Sequence, residues 1–204
     1  MLHKLRRAMV KPKRQLLEEE EVEVDECFVG GHEAGLRGGR ARGTKALVAI
    51  AVEVRGPGSG RVRMAVIDDA SATTLTEFVR ENVAAGAIVH TDAWKSYLSF
   101  TTLGYDHRPR NQSAARRRGE DPDEILPRVH RAISNLKSWL QGTHRGVSGG
   151  HLQVYLDEYT FRFNRRSTPM AASQALLGLQ SQQQQTTYDQ ITASSTNAPS
   201  TDLN

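Results

Sequence analysis

The chain has 204 residues, enough to bury a real core, and length alone suggests one domain with appendages. Its single cysteine, Cys27, excludes a disulfide framework, and the longest clean apolar run, ALVAIAV, is far too short to span a bilayer. The net charge is +4, and all 27 lysines and arginines fall at or before Arg166, grouped as HKLRRAMVKPKR, LRGGRARGTK, HRPRNQSAARRRG and RFNRR. That clustering suits a polyanion partner such as nucleic acid, and ordinary solvated loops account for it equally well.

The opening MLHKLRRAMVKPKRQLLEEEE has helical propensity but starts on apolar residues with no capping signal, so residues 1–20 are expected to be the end of a longer connector helix with a basic segment. Three strand-like runs follow, VEVDECFVG, KALVAIAVEV and RVRMAVIDD. Glycine-rich turns, GGHEAGLRGGRARG and RGPGSG, separate them and predict an antiparallel meander. ASATTLTEFVRENVAAG then reads as a helix capped by Ser71, with Leu75, Phe78, Val79 and Val83 on one face and an end near Gly86. A fourth strand, AIVHTD, comes next, and the helix before it serves as the crossover to a parallel strand, giving a mixed α/β sheet. DHRPRNQSAARRRGEDPDEILP is polar and reads as an irregular loop. Two long helical patterns close the ordered part: RVHRAISNLKSWLQG, with Val129, Ile133, Leu136 and Leu140 as a stripe, and HLQVYLDEYTFRFNRR, with Leu152, Tyr155, Leu156, Tyr159 and Phe163. Residues 180–204 have almost nothing to bury and are expected to be a disordered polar tail.

Within VEVDECFVGG, the alternation of Val22, Val24 and Phe28 predicts a strand with one buried face, yet Asp25 and Glu26 interrupt it with residue types that strands exclude. Asp25 falls on the face opposite Val22 and Val24, and Asp92 stands at the carboxyl end of the fourth strand. If those strands are neighbours, the two carboxylates meet at one edge of the sheet. Two like charges so close call for a cation, and oxygen ligands select Mg²⁺ or Mn²⁺. Two such ions support in-line phosphoryl displacement. Plainer accounts stand beside this one: Asp25 as an edge-strand residue reaching solvent or an arginine, and Asp92 as a helix cap before AWKSY.

VEVDECFVGG, VHTDAWKSY, HRAISNLKSWLQGTHRGVSGGHLQVYLDEYTFRFNRR and TPMAASQALLGL together resemble the catalytic domain of a bacterial insertion-sequence transposase, ISXO-like, of the group that usually joins an N-terminal zinc ribbon to an RNase-H-like DDE domain. The resemblance runs from about Leu2 to Leu179. It implies an RNase-H-like α/β catalytic domain over residues 21–179, and a metal-dependent enzyme that cuts double-stranded DNA at element ends and joins 3′-hydroxyls to target DNA. It further implies a homo-oligomer on DNA, in the cytoplasm at the nucleoid, with no membrane partner. With one cysteine the expected zinc ribbon is missing, as though Met1 lay within the connector helix.

The resemblance makes Asp25 the first catalytic aspartate and Asp92 the second. Its third position, usually Glu or in some members Asn, lies seven residues before a lysine; that lysine is Lys137, and counting back reaches His130. Seven helical residues are nearly two turns, so the two side chains share one flank of the helix. Asp25, Asp92 and His130 are thus the expected metal ligands and Lys137 a charge on phosphate, although a histidine beside an apolar stripe is more often structural. Glu158 is the rival for the third place, Glu26 faces the other side of the strand, and Asp68 and Asp69 are simplest as caps. Arg108, Arg110, Arg116, Arg117 and Arg118 are the expected DNA-backbone contacts. Trp94 and Trp139 either stack on bases or belong to the core edge. A nuclease of the same fold and an inactive DNA-binding remnant remain open as alternatives.

Overall fold

Strand β1 (Glu21–Val29) lies at the centre of a five-stranded sheet ordered β3-β2-β1-β4-β5. The other strands are β2 (Ala46–Arg55), β3 (Gly58–Ile67), β4 (Ile88–Asp92) and β5 (Asp106–Arg110). The computed structural model describes residues 6, 9, 15–30, 45–92, 94–111, 114, 117–119, 121, 125–144, 147 and 149–170. The expected tail, most of the connector helix and Arg116 lie outside them.

The first three strands form the expected antiparallel meander, and β4 and β5 add in parallel. The link from β3 to β4 is helix α1 (Ala72–Asn82), whose cap Ser71 accepts the Thr74 N–H as expected; it ends at Asn82, short of Gly86. A 3₁₀ helix (Lys95–Leu103) joins β4 to β5, and helices α2 (Pro127–His144) and α3 (Leu152–Asn164) follow. The result is the mixed α/β sheet, antiparallel then parallel and flanked by helices, of an RNase-H-like fold.

Helices cover both sides of the sheet, so β1 buries both faces where the alternation predicted one. Val22 and Val24 pack with Ala49, Ala51 and Val89 against α1 and the 3₁₀ helix, through Leu75, Phe78, Tyr97 and Phe100. On the opposite side, Cys27, Val48, Ile50 and Met64 pack against Val129, Leu136 and Leu140 of α2 and Leu152 and Leu156 of α3. Among the described residues no helix is long and apolar enough to cross a membrane.

Strand β5 corrects the loop expected over DHRPR. It pairs with β4 along its length and carries Pro109 opposite Thr91. As the outermost strand it is largely exposed, so it lacks the apolar alternation that reveals a strand, and an edge tolerates proline.

A buried acid also holds the sheet. The β2–β3 register shifts between Val52 and Val54, and the Glu53 side chain, fully buried, is met by the Arg61 guanidinium at 2.8 Å and by the N–H groups of Glu18 and Arg61. Residue 60 must be glycine here, because a Cβ would sit 2.7 Å from Glu53. Burial pushes the Glu53 carboxyl up, but these hydrogen bonds outweigh it and hold the group below its usual range.

Candidate active site

The β1–β4 ladder runs Glu21↔Ile88, Val22↔Val89 and Glu23↔His90. The ladder ends there; Asp25 lies two residues past Glu23 on β1, and Asp92, the last residue of β4, lies two past His90. The expected neighbour relation between these strands holds, but the edge-strand account of Asp25 does not, because β1 is paired to β2 through Val29 on one side and to β4 on the other. Asp25 and Asp92 line one cleft of about 410 Å³, together with Glu26, Asp68, Asp69 and Trp94.

Helix α2 is fastened to β1 by Glu23, a residue that the sequence reading passed over. Its buried carboxylate accepts the Arg128 and Val129 N–H groups at 2.8 and 2.9 Å and pairs with the Arg128 guanidinium at 2.9 Å. These are donors at the first turn of a helix that nothing inside the helix satisfies. Counting two residues onward from Glu23 on the strand and from Arg128 on the helix gives Asp25 and His130. Those two meet, His130 Nε2 lying 3.4 Å from Asp25 Oδ2. An acid two positions before Asp25, on the same strand face, was the available signal for Glu23.

The remaining acids are distributed by face. Glu26 lies across the strand, where it accepts the buried Tyr97 hydroxyl. Burial raises the Tyr97 pKa well above its ordinary value, and the negative charges of Glu26, Asp25 and Asp92 raise it further. Asp69 Oδ1 accepts from Ser71 N and Thr74 Oγ1, as a cap would. Asp92 Oδ1 accepts the Trp94 N–H at 3.2 Å, so the capping account of Asp92 holds a part of the truth. Glu158 is no rival for the third place: it is buried on the α3 face away from its apolar stripe and bound by Arg6 at 2.6 Å and Arg162 at 3.0 Å.

Lys137 is exposed on α2, and its charge reaches β1. The Cys27 thiol is pushed up to about 12, chiefly by burial; the Lys137 ammonium acts against that, while Asp25 and Glu26 add to it. The donors fit a hard divalent cation in type, with two carboxylates on adjacent strands and an imidazole beside one of them. Among the described residues, no three His, Cys, Asp or Glu side chains are already gathered into a metal-holding group.

Residues 16–164 match the family model described as the ISXO2-like transposase domain. This chain belongs to that family. No curated protein matches it. Two solved structures are distantly similar. For "Mos1 transposase paired-end complex with left transposon end", identity is 10% and the TM-score 0.35, over 79% of this chain and 55% of that one. For "Crystal structure of the Mos1 Strand Transfer Complex", identity is 11% and the TM-score 0.28, over 87% of this chain and 61% of that one. The chain therefore spans little more than half the length of those chains.

In this transposase domain the expected DNA-contact arginines divide into two groups. Arg108 and Arg110 stand on β5 instead of in a loop, Arg108 paired with Asp106 at 2.8 Å and the Arg110 Nε donating to His90 Nδ1 at 3.4 Å. His90 in turn contacts Glu21 at 2.9 Å, so this edge strand is tied back to β1. Arg117 and Arg118 follow Ala114 in a helical turn, with Arg118 N donating to Ala114 O.

Proposed function

We propose that this chain is the catalytic part of a DNA transposase that uses Mg²⁺ or Mn²⁺ to cleave DNA at insertion-sequence ends and to join 3′-hydroxyls to target DNA. One observation carries the reading: Asp25 and Asp92 come from adjacent parallel strands and line one cleft with Asp68 and Asp69, and His130 lies 3.4 Å from Asp25. Asp25, Asp92 and His130 would hold the ions, two in number. Bound there, they would offset the repulsion between the carboxylates and polarise a phosphoryl oxygen.

The chain's own groups do the positioning. Glu23 fixes α2 against β1, so that the Asp25–His130 separation is set before any ligand arrives. Lys137, seven residues beyond His130 on the same flank, presents an exposed ammonium to a phosphate at the cleft mouth. Arg108, Arg110, Arg117 and Arg118, with Arg116, would neutralise the flanking duplex backbone. Two element ends handled together imply a homo-oligomer assembled on DNA.

A second reading, an inactive DNA-binding domain, draws on the 3.4 Å contact between His130 and Asp25, which occupies the imidazole and one carboxylate with each other. Calorimetric titration of Mn²⁺ and Mg²⁺, with and without DNA, into the wild type, Asp92→Asn and His130→Ala separates the two. Saturable binding that disappears in Asp92→Asn and weakens in His130→Ala, with strand-transfer products from DNA bearing the element's ends, supports the enzyme. Absence of binding in both conditions supports the inactive domain.

A further inference from the structure

The flank of α2 away from His130 and Lys137 lines a groove of another kind. Arg131, Asn135 and Trp139 follow one another at four-residue intervals, so they form a row along the helix. Arg162, Phe163 and Arg166 at the α3 end line the same groove, of about 520 Å³, with Tyr159 and with Gly58 and Ser59 at the start of β3, just past the β2–β3 turn. Among the described residues no carboxylate lines it.

The walls are held in place. Arg128 of α2 donates to the carbonyls of Gly56 and Gly58, and Arg166 donates to those of Ser59 and Gly60, so the turn is bolted to both helices. Trp139 packs on Tyr159 with ring centroids 5.6 Å apart, and the Arg166 guanidinium lies 4.2 Å over the Phe163 ring. Trp139 and Phe163 are half-buried, each keeping part of its surface open to the groove, while Arg131 is exposed and Arg162 keeps 64% of its side chain in solvent even as its Nε reaches Glu158. Cations at the rim and aromatic surfaces below are the two parts of a single-strand platform, in which phosphates meet arginines and an unstacked base meets a ring. A duplex keeps its bases stacked and cannot deliver one to Trp139. The volume suits a single nucleotide with its flanking phosphates.

We infer that this groove is a second nucleic-acid site, which takes an unpaired DNA strand and stacks one base on Trp139. The inference rests on the DNA-handling reading above but not on the acid cleft, since the two share no lining residue.

The test uses Trp94→Phe, which leaves Trp139 as the sole tryptophan, and a short oligothymidylate titrated in EDTA at several salt concentrations. Saturable quenching of Trp139 is expected, with affinity that falls as salt rises. Arg131→Gln and Arg162→Gln should each reduce the salt slope by about 0.7. A matching oligonucleotide of abasic sites should bind about tenfold more weakly and quench little, because it loses the stacking contribution. Thermal melting of each variant beside its parent checks that the fold is intact. No quenching, unchanged slopes in the arginine variants, or equal affinity for the abasic strand overturns the inference; equal quenching by a blunt duplex overturns the single-strand assignment. The assay contains no divalent ion and reads no strand transfer, so its failure leaves the catalytic reading untouched, and loss of that reading leaves this one standing.

Discussion

Glu23 and Asp25 sit two residues apart on the same face of the same strand and lead opposite lives. Glu23 is saturated by a guanidinium and two helix N–H groups; Asp25 is met by an imidazole and by its neighbour's N–H, and it faces a cleft crowded with other carboxylates. A buried acid with full compensation is a structural fastener. Acids gathered at one cleft repel one another, and a bound cation would offset that repulsion.

Substitutions should therefore separate stability from activity. The largest expected effect is on chemistry: Asp92→Asn or Asp25→Asn should reduce strand-transfer activity by about 10³-fold or more, while thermal unfolding shows a melting temperature equal to or above the wild type, because one of two like charges is gone. A marked fall in melting temperature for either variant would break the comparison. Glu23→Ala should do the reverse in stability, costing about 3–5 kcal/mol by leaving Arg128 and two helix N–H groups without their acceptor, as measured by urea denaturation. It should also weaken Mn²⁺ binding, through displacement of His130.

Acid pH sharpens the same contrast at Glu53. Its folded pKa is held below the unfolded value, so its contribution is complete above the unfolded carboxylate range and is lost as pH falls through the folded value. Melting temperature should therefore drop as pH falls below the ordinary carboxylate range, and Glu53→Gln should flatten part of that drop. The smallest effect is expected from Tyr97→Phe, which removes the hydroxyl that Glu26 accepts: a loss of about 1 kcal/mol in denaturant unfolding. Because that residue lies on the opposite face of β1, metal binding should be little changed.

Much of the framework was legible in the residues. Three alternating runs separated by glycine-rich turns specify a meander, Ser71 announces a helix start, and the apolar stripes of α2 and α3 match their buried sides, all because local periodicity records which side of an element faces the core. The neighbour relation of β1 and β4, on which any meeting of Asp25 and Asp92 depends, was also anticipated. β5 went unread because an exposed edge strand needs no apolar face, and the burial of Glu158 went unread because its partner, Arg6, lies 152 residues away.

By itself, then, the sequence determined element types, their order, and the residues whose chemistry is out of place in their elements. Those are local properties, set by side-chain period, caps and turns within a few residues. Long-range packing made β1 central, set Glu23 against the first turn of α2, and brought Arg131, Arg162 and Arg166 onto one groove. Each of these depends on contacts between segments tens of residues apart. Such contacts form when helices and strands bury their apolar faces together, and a short window of residues does not name the distant partner.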